Sequence, residues 1–279
     1  MSRMYVPDGI AEAQAMSRVT RMGIGAHQDD LEIFAYHGIA ACYESEDEWF
    51  AGVTVTDGGG SARVGPYQDF TDEEMKAKRV AEQNEAARLG RYALQVQLGV
   101  PSSQVKDHES SRALVDDLEA LLRSCSPRVL YLHNPADKHD THIAVLSRCL
   151  EALRRLPPAL HPEAVYGCEV WRDLDWLDDG RKIALPVDAY PDLARQLIEV
   201  FDSQVAGGKD YVAAALGRRF ANATFFQSHS VDTAKALTFA MDLKPLLAEH
   251  APSPADYVKG FIDHFKMDTL QRIERFAAK

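Results

Sequence analysis

The 279-residue chain is short of cysteine, has fewer cationic than acidic side chains, and lacks any long apolar run. Each shortage excludes something. The 4 Cys, at positions 42, 125, 149 and 168, form no CxxC pair and no tight framework, so they read as reduced, mostly buried thiols of a cytoplasmic protein. Lys and Arg number 31 against 42 Asp and Glu, a formal net charge of −11. Nucleic acid and anionic membrane both demand basic surface, so neither is an expected partner. No segment approaches the ~18–20 consecutive apolar residues of a membrane span. The first 25 residues include Asp8 and Glu12 and no continuous apolar stretch, so no secretory signal is expected. Internal repeats and low-complexity linkers are missing as well.

What is present is an ordinary globular composition, 46% hydrophobic and 26% charged. A chain of this length can bury about 70–75% of its unfolded surface without disulfides or a structural metal. Short apolar runs at Val19–Ala26, Trp49–Thr56, Ala93–Leu98, Arg128–Leu132 and Ala164–Val170 read as strands. Between them, Glu32–Ser45, Asp72–Leu89, Ser110–Ser124 and His142–Leu156 read as helices. Thr71 and Glu74 form a capping box ahead of the second helix, and Gly90 fits its C-cap. Such alternation predicts an α/β fold, a doubly wound parallel sheet of order 3-2-1-4-5 with helices on both faces. Further on, Asp188–Phe201, Asp210–Arg218, Thr233–Glu249 and Pro254–Ala278 read as helices, giving a helical C-terminal segment over about 188–279. The chain is expected to be one domain, 1–279, with its core at about 19–205. A composition shift near residue 180 leaves a separate subdomain as the alternative.

Two segments concentrate ligand-type side chains. Gly25-Ala26-His27-Gln28-Asp29-Asp30-Leu31-Glu32 follows the first strand, and His133-Asn134-Pro135-Ala136-Asp137-Lys138-His139-Asp140-Thr141-His142 follows the fourth. In the expected order those strands are neighbours, and the crevice at their carboxyl ends is where open α/β sheets bind ligands. Imidazole and carboxylate suit Zn²⁺, and catalytic zinc takes three protein ligands. His27 and Asp30 are close enough on one loop to reach a single ion, and a further ligand would come from the second loop. Taken singly, each segment is as well read as a solvated turn or a helix cap, with Asp29 or Asp30 at the N-terminus of the next helix. A dinucleotide site is a weaker reading, because Gly23-Ile24-Gly25 lacks the third glycine of GxGxxG and Gln28 stands there.

Ala26-His27-Gln28-Asp29-Asp30-Leu31-Glu32 resembles the AHPDDxE motif of the PIG-L/LmbE-like zinc-dependent de-N-acetylases, and His139–His142 resembles the family's HPDH element. Thr56-Asp57-Gly58-Gly59 and the Arg79, Glu82, Leu89-Gly90 pattern also look like the family's TxG loop and following helix, so the resemblance spans roughly residues 19–205. It implies a Rossmann-like fold and hydrolysis of an N-acetyl group on glucosamine-type substrates. It also implies Zn²⁺, or another divalent ion, on His27, Asp30 and His142, with Asp29 as general base. His139 would polarise the carbonyl or help protonate the amine, and Arg63 is the nearest match to an arginine set against the substrate. This sequence departs from the family at Gln28, where the family has Pro, and at Thr141, where it has a carboxylate. Phe34, Tyr36 and His37 stand where the family runs through small glycines.

Other residues on the same rim extend the expected site. Glu32 is a candidate to steady the metal loop, and Asp137 or Asp140 to orient His139. Trp171 or Trp176 offers a flat face for a sugar, with a buried packing role as the alternative, and Arg172 offers an anion contact or else a pair with Asp173 or Asp175. Ser203, Gln204, Tyr211 and Asn222 are assigned either to the cleft or to an oligomer interface, and a homo-oligomer is left open. His37, His108, His161, His229, His250 and His264 have no ligand-type partner in sequence and read as structural or exposed. The leading expectation is a zinc amidohydrolase acting on a small N-acetylated amino sugar. The rival is a non-hydrolytic sugar or sugar-nucleotide binding module on the same fold.

Overall fold

The computed structural model describes residues 3–206 and 208–277. Eight strands form one sheet: β1 (Arg3–Tyr5), β2 (Arg21–Gly25), β3 (Phe50–Thr56), β4 (Leu94–Val100), β5 (Val129–His133), β6 (Ala164–Cys168), β7 (Ile183–Pro186) and β8 (Leu237–Asp242). Their order is β1-β4-β3-β2-β5-β6-β8-β7. The five strands from β2 to β6 pair in parallel in the expected 3-2-1-4-5 order, and β1, β8 and β7 add antiparallel edges. β3 is buried along its whole length, which is why its sequence is continuously apolar or small instead of alternating.

Each face of the sheet carries its own apolar cluster. On one face the Arg112–Cys125 and Asp140–Arg155 helices bury Leu118, Leu122, Val145 and Leu153 against Ile24, Val53 and Leu130. On the other, Leu31, Phe34, Ile39, Ala86 and Leu197 pack against Phe50 and Tyr131. β2 and β5 are therefore followed by helices on opposite faces, and the chain diverges between them. Phe34, Tyr36 and His37 belong to this architecture: Phe34 and Tyr36 are fully buried, and the Tyr36 hydroxyl donates to the Ala189 and Tyr190 carbonyls at 2.8 and 2.7 Å. His37 Nδ1 lies 2.7 Å from the Tyr131 hydroxyl. The bulky residues fill the layer beneath the cleft.

The last third of the chain departs from expectation. Thr233–Glu249 was expected as a helix; instead Leu237–Asp242 is β8, inserted between β6 and β7, and a short 3₁₀ turn follows at Lys244–Leu247. Its Leu, Ala and Met favour helices locally, as do the flanking Lys235 and Lys244, but five of the six strand residues are buried in the sheet, and burial outweighs propensities of a few tenths of a kcal/mol each. β7 and β1 are short edge strands with no sequence signature long enough to read. The expected helices at Asp188–Phe201, Asp210–Arg218 and Pro254–Ala278 appear as Pro191–Glu199, Tyr211–Phe225 and Pro254–Phe276; Ala278 lies outside the described residues. No helix among the described residues is long and apolar enough to cross a membrane. All four cysteines are free and buried.

The Asp72–Leu89 helix supplies the cleft's second wall, and its start is as read from the sequence. The Thr71 hydroxyl accepts from the Glu74 N–H at 3.3 Å, and Glu74 Oε2 accepts from the Thr71 N–H at 2.8 Å. Its end differs. Gly90 has φ −76°, and the left-handed residue is Arg91 at φ 53°; Gly90 is small because a Cβ there would stand 2.5 Å from the Tyr92 ring. Thr71→Ala removes the hydroxyl half of the box at an exposed position, leaving the Thr71 N–H on Glu74, and should cost about 1 kcal/mol. A lower urea midpoint at unchanged m-value is the expected result, and an unmoved midpoint would show the box to be energetically idle.

Candidate metal centre and cleft

Between β2 and the short helix Asp30–Phe34, the loop is fixed by its own polar atoms. The Ala26 N–H donates to His133 Nε2 at 2.9 Å, across from β5. The His27 N–H donates to Asp30 Oδ2 at 2.7 Å, so the Asp30 carboxylate reaches back over the loop. Asp29 occupies the left-handed region at φ 94°, which costs a non-glycine residue roughly 1–2 kcal/mol. That kink sends the adjacent carboxylates different ways. Asp29 faces the Asp72–Leu89 helix, where Arg79 Nη2 donates to its Oδ2 at 2.9 Å, and its own N–H donates to Gln83 Oε1 at 3.3 Å. Asp30 faces the histidines of the second loop.

His27 Nδ1 lies 3.2 Å from His142 Nε2 and 3.4 Å from Asp30 Oδ2, and His142 Nε2 lies 3.4 Å from Asp30 Oδ1. Donors about 2.0–2.1 Å from an ion at tetrahedral angles stand roughly 3.3 Å apart, a spacing that the His27 and His142 nitrogens meet, while Asp30 faces His27 with Oδ2 and His142 with Oδ1. Behind them, His142 Nδ1 faces Asp137 Oδ2 at 3.5 Å, the carboxylate backing common to metal-bound histidines. Two groupings bring three possible ligand atoms within 4.8 Å of one another: His27, His139 and His142, and Asp30, His133 and His142. His133 is the weaker donor, because its Nε2 lone pair already receives the Ala26 N–H. Its ring instead stacks on His142, with centroids 3.9 Å apart.

The charges agree with this geometry. Burial alone would raise the Asp30 pKa, but the facing His142 and His133 hold it well below the usual carboxylate range. His142 is raised despite its burial, by Asp30 and then Asp137. Asp29 goes the other way: burial outweighs Arg79 and raises it. His139 is lowered by burial and by its His142 and His27 neighbours, so it is chiefly neutral near pH 7. Its Nδ1 accepts the Thr141 N–H at 3.3 Å, which puts the ring proton on Nε2.

Residues 22–153 match the PIG-L family model, described as GlcNAc-PI de-N-acetylase. That stretch, a little under half of the chain, is similar to PIG-L family sequence. Both ligand-rich loops lie within it. No curated protein sequence matches the chain. Among solved structures, the N,N'-diacetylchitobiose deacetylase of Pyrococcus horikoshii is 16% identical over 79% of this chain and 83% of its own, with TM-score 0.54. The A40926 pseudoaglycone deacetylase is 15% identical over 81% and 97%, with TM-score 0.58. The 4-carboxy-2-hydroxymuconate hydratase of Pseudomonas putida is 15% identical over 81% and 95%, with TM-score 0.61. At such identities the likeness is one of fold, and that fold carries both deacetylases and a hydratase.

The PIG-L loops open onto a cavity of about 390 Å³ whose walls include His27, Asp29, Asp30, His139 and Trp171. Several expected residues stand elsewhere. Arg63 does not line the cavity: its Nη2 donates to the Gly59 carbonyl at 2.9 Å and pairs with Asp72. Arg172 and Asp140 are exposed outside the cavity wall. Asp137 holds the His139 N–H at 3.0 Å and the Trp171 N–H at 3.2 Å, but its carboxylate backs the His142 ring, not the His139 ring. Gln28 is fully buried and donates to the Thr56 carbonyl at 3.2 Å, bracing the loop where the family has Pro. Sequence reasoning missed Lys106 and Lys209 on the wall, His133 under the site, and Arg79 as the partner of Asp29. A buried arginine three residues before Glu82 carries no local signal of what lies across the cleft.

Glu32 does brace this region. It is fully buried, and its Oε1 accepts from Gln83 Nε2 at 2.8 Å and the Tyr92 hydroxyl at 2.7 Å. Burial pushes its pKa from 4.5 up to about 7. A carboxyl raised on folding retains its proton longer in the folded state, so stability falls as pH climbs from about 4.5 to about 7. In chelator-treated protein, Glu32→Gln should remove that fall and gain roughly 3 kcal/mol at pH 8. Urea titrations at pH 5 and 8 check this, and wild-type stability that does not drop between them overturns it.

Proposed function

We propose that this chain is a metal-dependent amidohydrolase that removes an N-acyl group, in the simplest case acetyl, from an N-acetylglucosamine-type sugar or glycoconjugate. The observation that supports it most is the pairing of two carboxylates with different surroundings. Asp30 stands within 3.4 Å of three imidazoles, those of His27, His133 and His142, and Asp29, one residue away, is held off by Arg79. The family match over residues 22–153 supports the same reading.

In this reading His27, Asp30 and His142 hold the ion, and Asp137 fixes the His142 ring. A divalent ion such as Zn²⁺ supplies a water of pKa about 7 and a Lewis acid for the amide carbonyl. Asp29 takes the proton from the attacking water, and its burial-raised pKa makes it a stronger base than an exposed aspartate. The Arg79 bond keeps its carboxylate from swinging onto the ion. His139, neutral with its proton on Nε2, donates toward the carbonyl oxygen as charge develops there. The proton held by Asp29 leaves on the amine. Trp171 and the hydroxyl and amide side chains of the cavity hold the sugar.

The two aspartates separate the roles. Asp29→Asn keeps an oxygen for Arg79 but cannot take a proton, so divalent-metal content should stay near wild type while kcat falls about 10²–10⁴-fold. Asp30→Asn should weaken metal binding, with activity partly restored by excess metal. Metal analysis and acetate release from N-acetylglucosamine conjugates measure both. If Asp29→Asn stays active and loses metal, the roles are reversed; if no conjugate releases acetate, the non-hydrolytic binding module takes precedence.

A further inference from the structure

Two cavities, not one, meet at the aspartate pair, and they differ in chemistry. The first, of about 390 Å³, is walled by hydrogen-bonding groups such as Thr56, Ser61, Arg79, Gln204 and Lys209. The second, of about 250 Å³, is floored by Ile33, Val170, Ala214 and Ala215. Asp29, Asp30, Trp171 and Tyr211 line both. Two cations also border the second lobe. Lys138 is exposed, and the Arg218 guanidinium is engaged by the Val170 carbonyl oxygen.

An amide lying over the aspartates has a sugar side and an acyl side. Sugar hydroxyls need partners, and in the apolar lobe they would be buried without them, so the sugar belongs in the polar lobe. The acyl side then falls into the apolar lobe. At about 30 Å³ per carbon-sized group, that lobe holds on the order of eight such groups, whereas acetyl has one methyl to put there. We propose that the enzyme's preferred substrates are amino sugars carrying an N-acyl chain of about four to eight carbons, with the chain seated between Ile33, Ala214 and the Trp171 and Tyr211 rings.

This rests on the amidohydrolase reading and specifies its substrate. Water gives its hydroxyl to the acyl carbon and its remaining proton to the nitrogen as the C–N bond breaks, so the products are a short fatty acid and the free amino sugar. The test is a ladder of N-acetyl-, N-butyryl-, N-hexanoyl- and N-octanoyl-glucosamine, scored for free amine. Each methylene buried should raise kcat/KM about fourfold until the lobe is full. Ala214→Phe, at a helix-surface position that tolerates bulk, should cut the hexanoyl-to-acetyl ratio of kcat/KM at least tenfold. Calorimetry of the products gives a readout apart from turnover: hexanoate should bind more tightly than acetate, and Ala214→Phe should abolish the difference. Acetyl favoured over hexanoyl, or a ratio indifferent to Ala214→Phe, overturns the acyl lobe alone. Failure of every member of the ladder in metal-loaded protein overturns the amidohydrolase reading beneath it.

Discussion

Adjacent aspartates in a regular helix or strand would share an environment or face opposite layers, and neither arrangement puts both at one cleft with separate partners. Here a single backbone torsion does it. With Asp29 at φ 94°, the chain turns over itself between the two carboxylates, and the next residue enters a helix. The rest of the site is built around that kink. Arg79 and Gln83 hold Asp29 from one side, while His133 receives the Ala26 N–H from the other, so the strained loop is tied to two different layers of the fold. A strain of roughly 1–2 kcal/mol persists only where the surroundings over-determine it.

The surroundings are unusually polar for an interior. The Asp72–Leu89 helix buries Arg79, Glu82 and Gln83, β3 and β4 bury Thr54, Thr56, Gln95 and Gln97, and Gln97 Nε2 donates to Asn84 Oδ1 of that helix at 3.0 Å. Ser203 closes the group by donating its N–H and hydroxyl to Glu82 at 2.8 and 2.7 Å. The group is only partly satisfied, since Arg79 Nε and Nη1, Gln95 Oε1 and Thr56 Oγ1 are buried without a hydrogen-bond partner, and such a group fixes orientation more than it adds stability. Its members place Arg79 against the Gln28 carbonyl, Asp29 and Glu82 together, and they are residues that no apolar periodicity reveals.

What the sequence made legible was local. The two ligand-rich loops, the capping box and the five parallel strands each depend on residues a few positions apart, and each could be read from spacing. The order of the five parallel strands agreed with the doubly wound pattern that their alternation with helices suggested. Legibility ended where a contact joined distant segments. Arg63 looked like the arginine of the cleft because of its loop, yet Asp72, nine residues on, captures it. His133 looked like one more member of a ligand-rich run, yet the backbone N–H of Ala26, just past β2, occupies its nitrogen. β8 was hidden because its composition favours a helix and only the neighbouring β6 and β7 make it a strand.

That late strand bears on how the molecule can be assembled. β7 is made by residue 186, but its hydrogen-bonding partner, β8, spans Leu237–Asp242, and β8 must also slot against β6. As the chain leaves the ribosome, β7 and the open side of β6 therefore wait for some fifty residues of synthesis, at about 5–20 residues per second, before either edge is covered. During those seconds the unpaired edge of β6 is a template for other chains, so the nascent protein is more exposed to misassembly than its finished sheet would suggest.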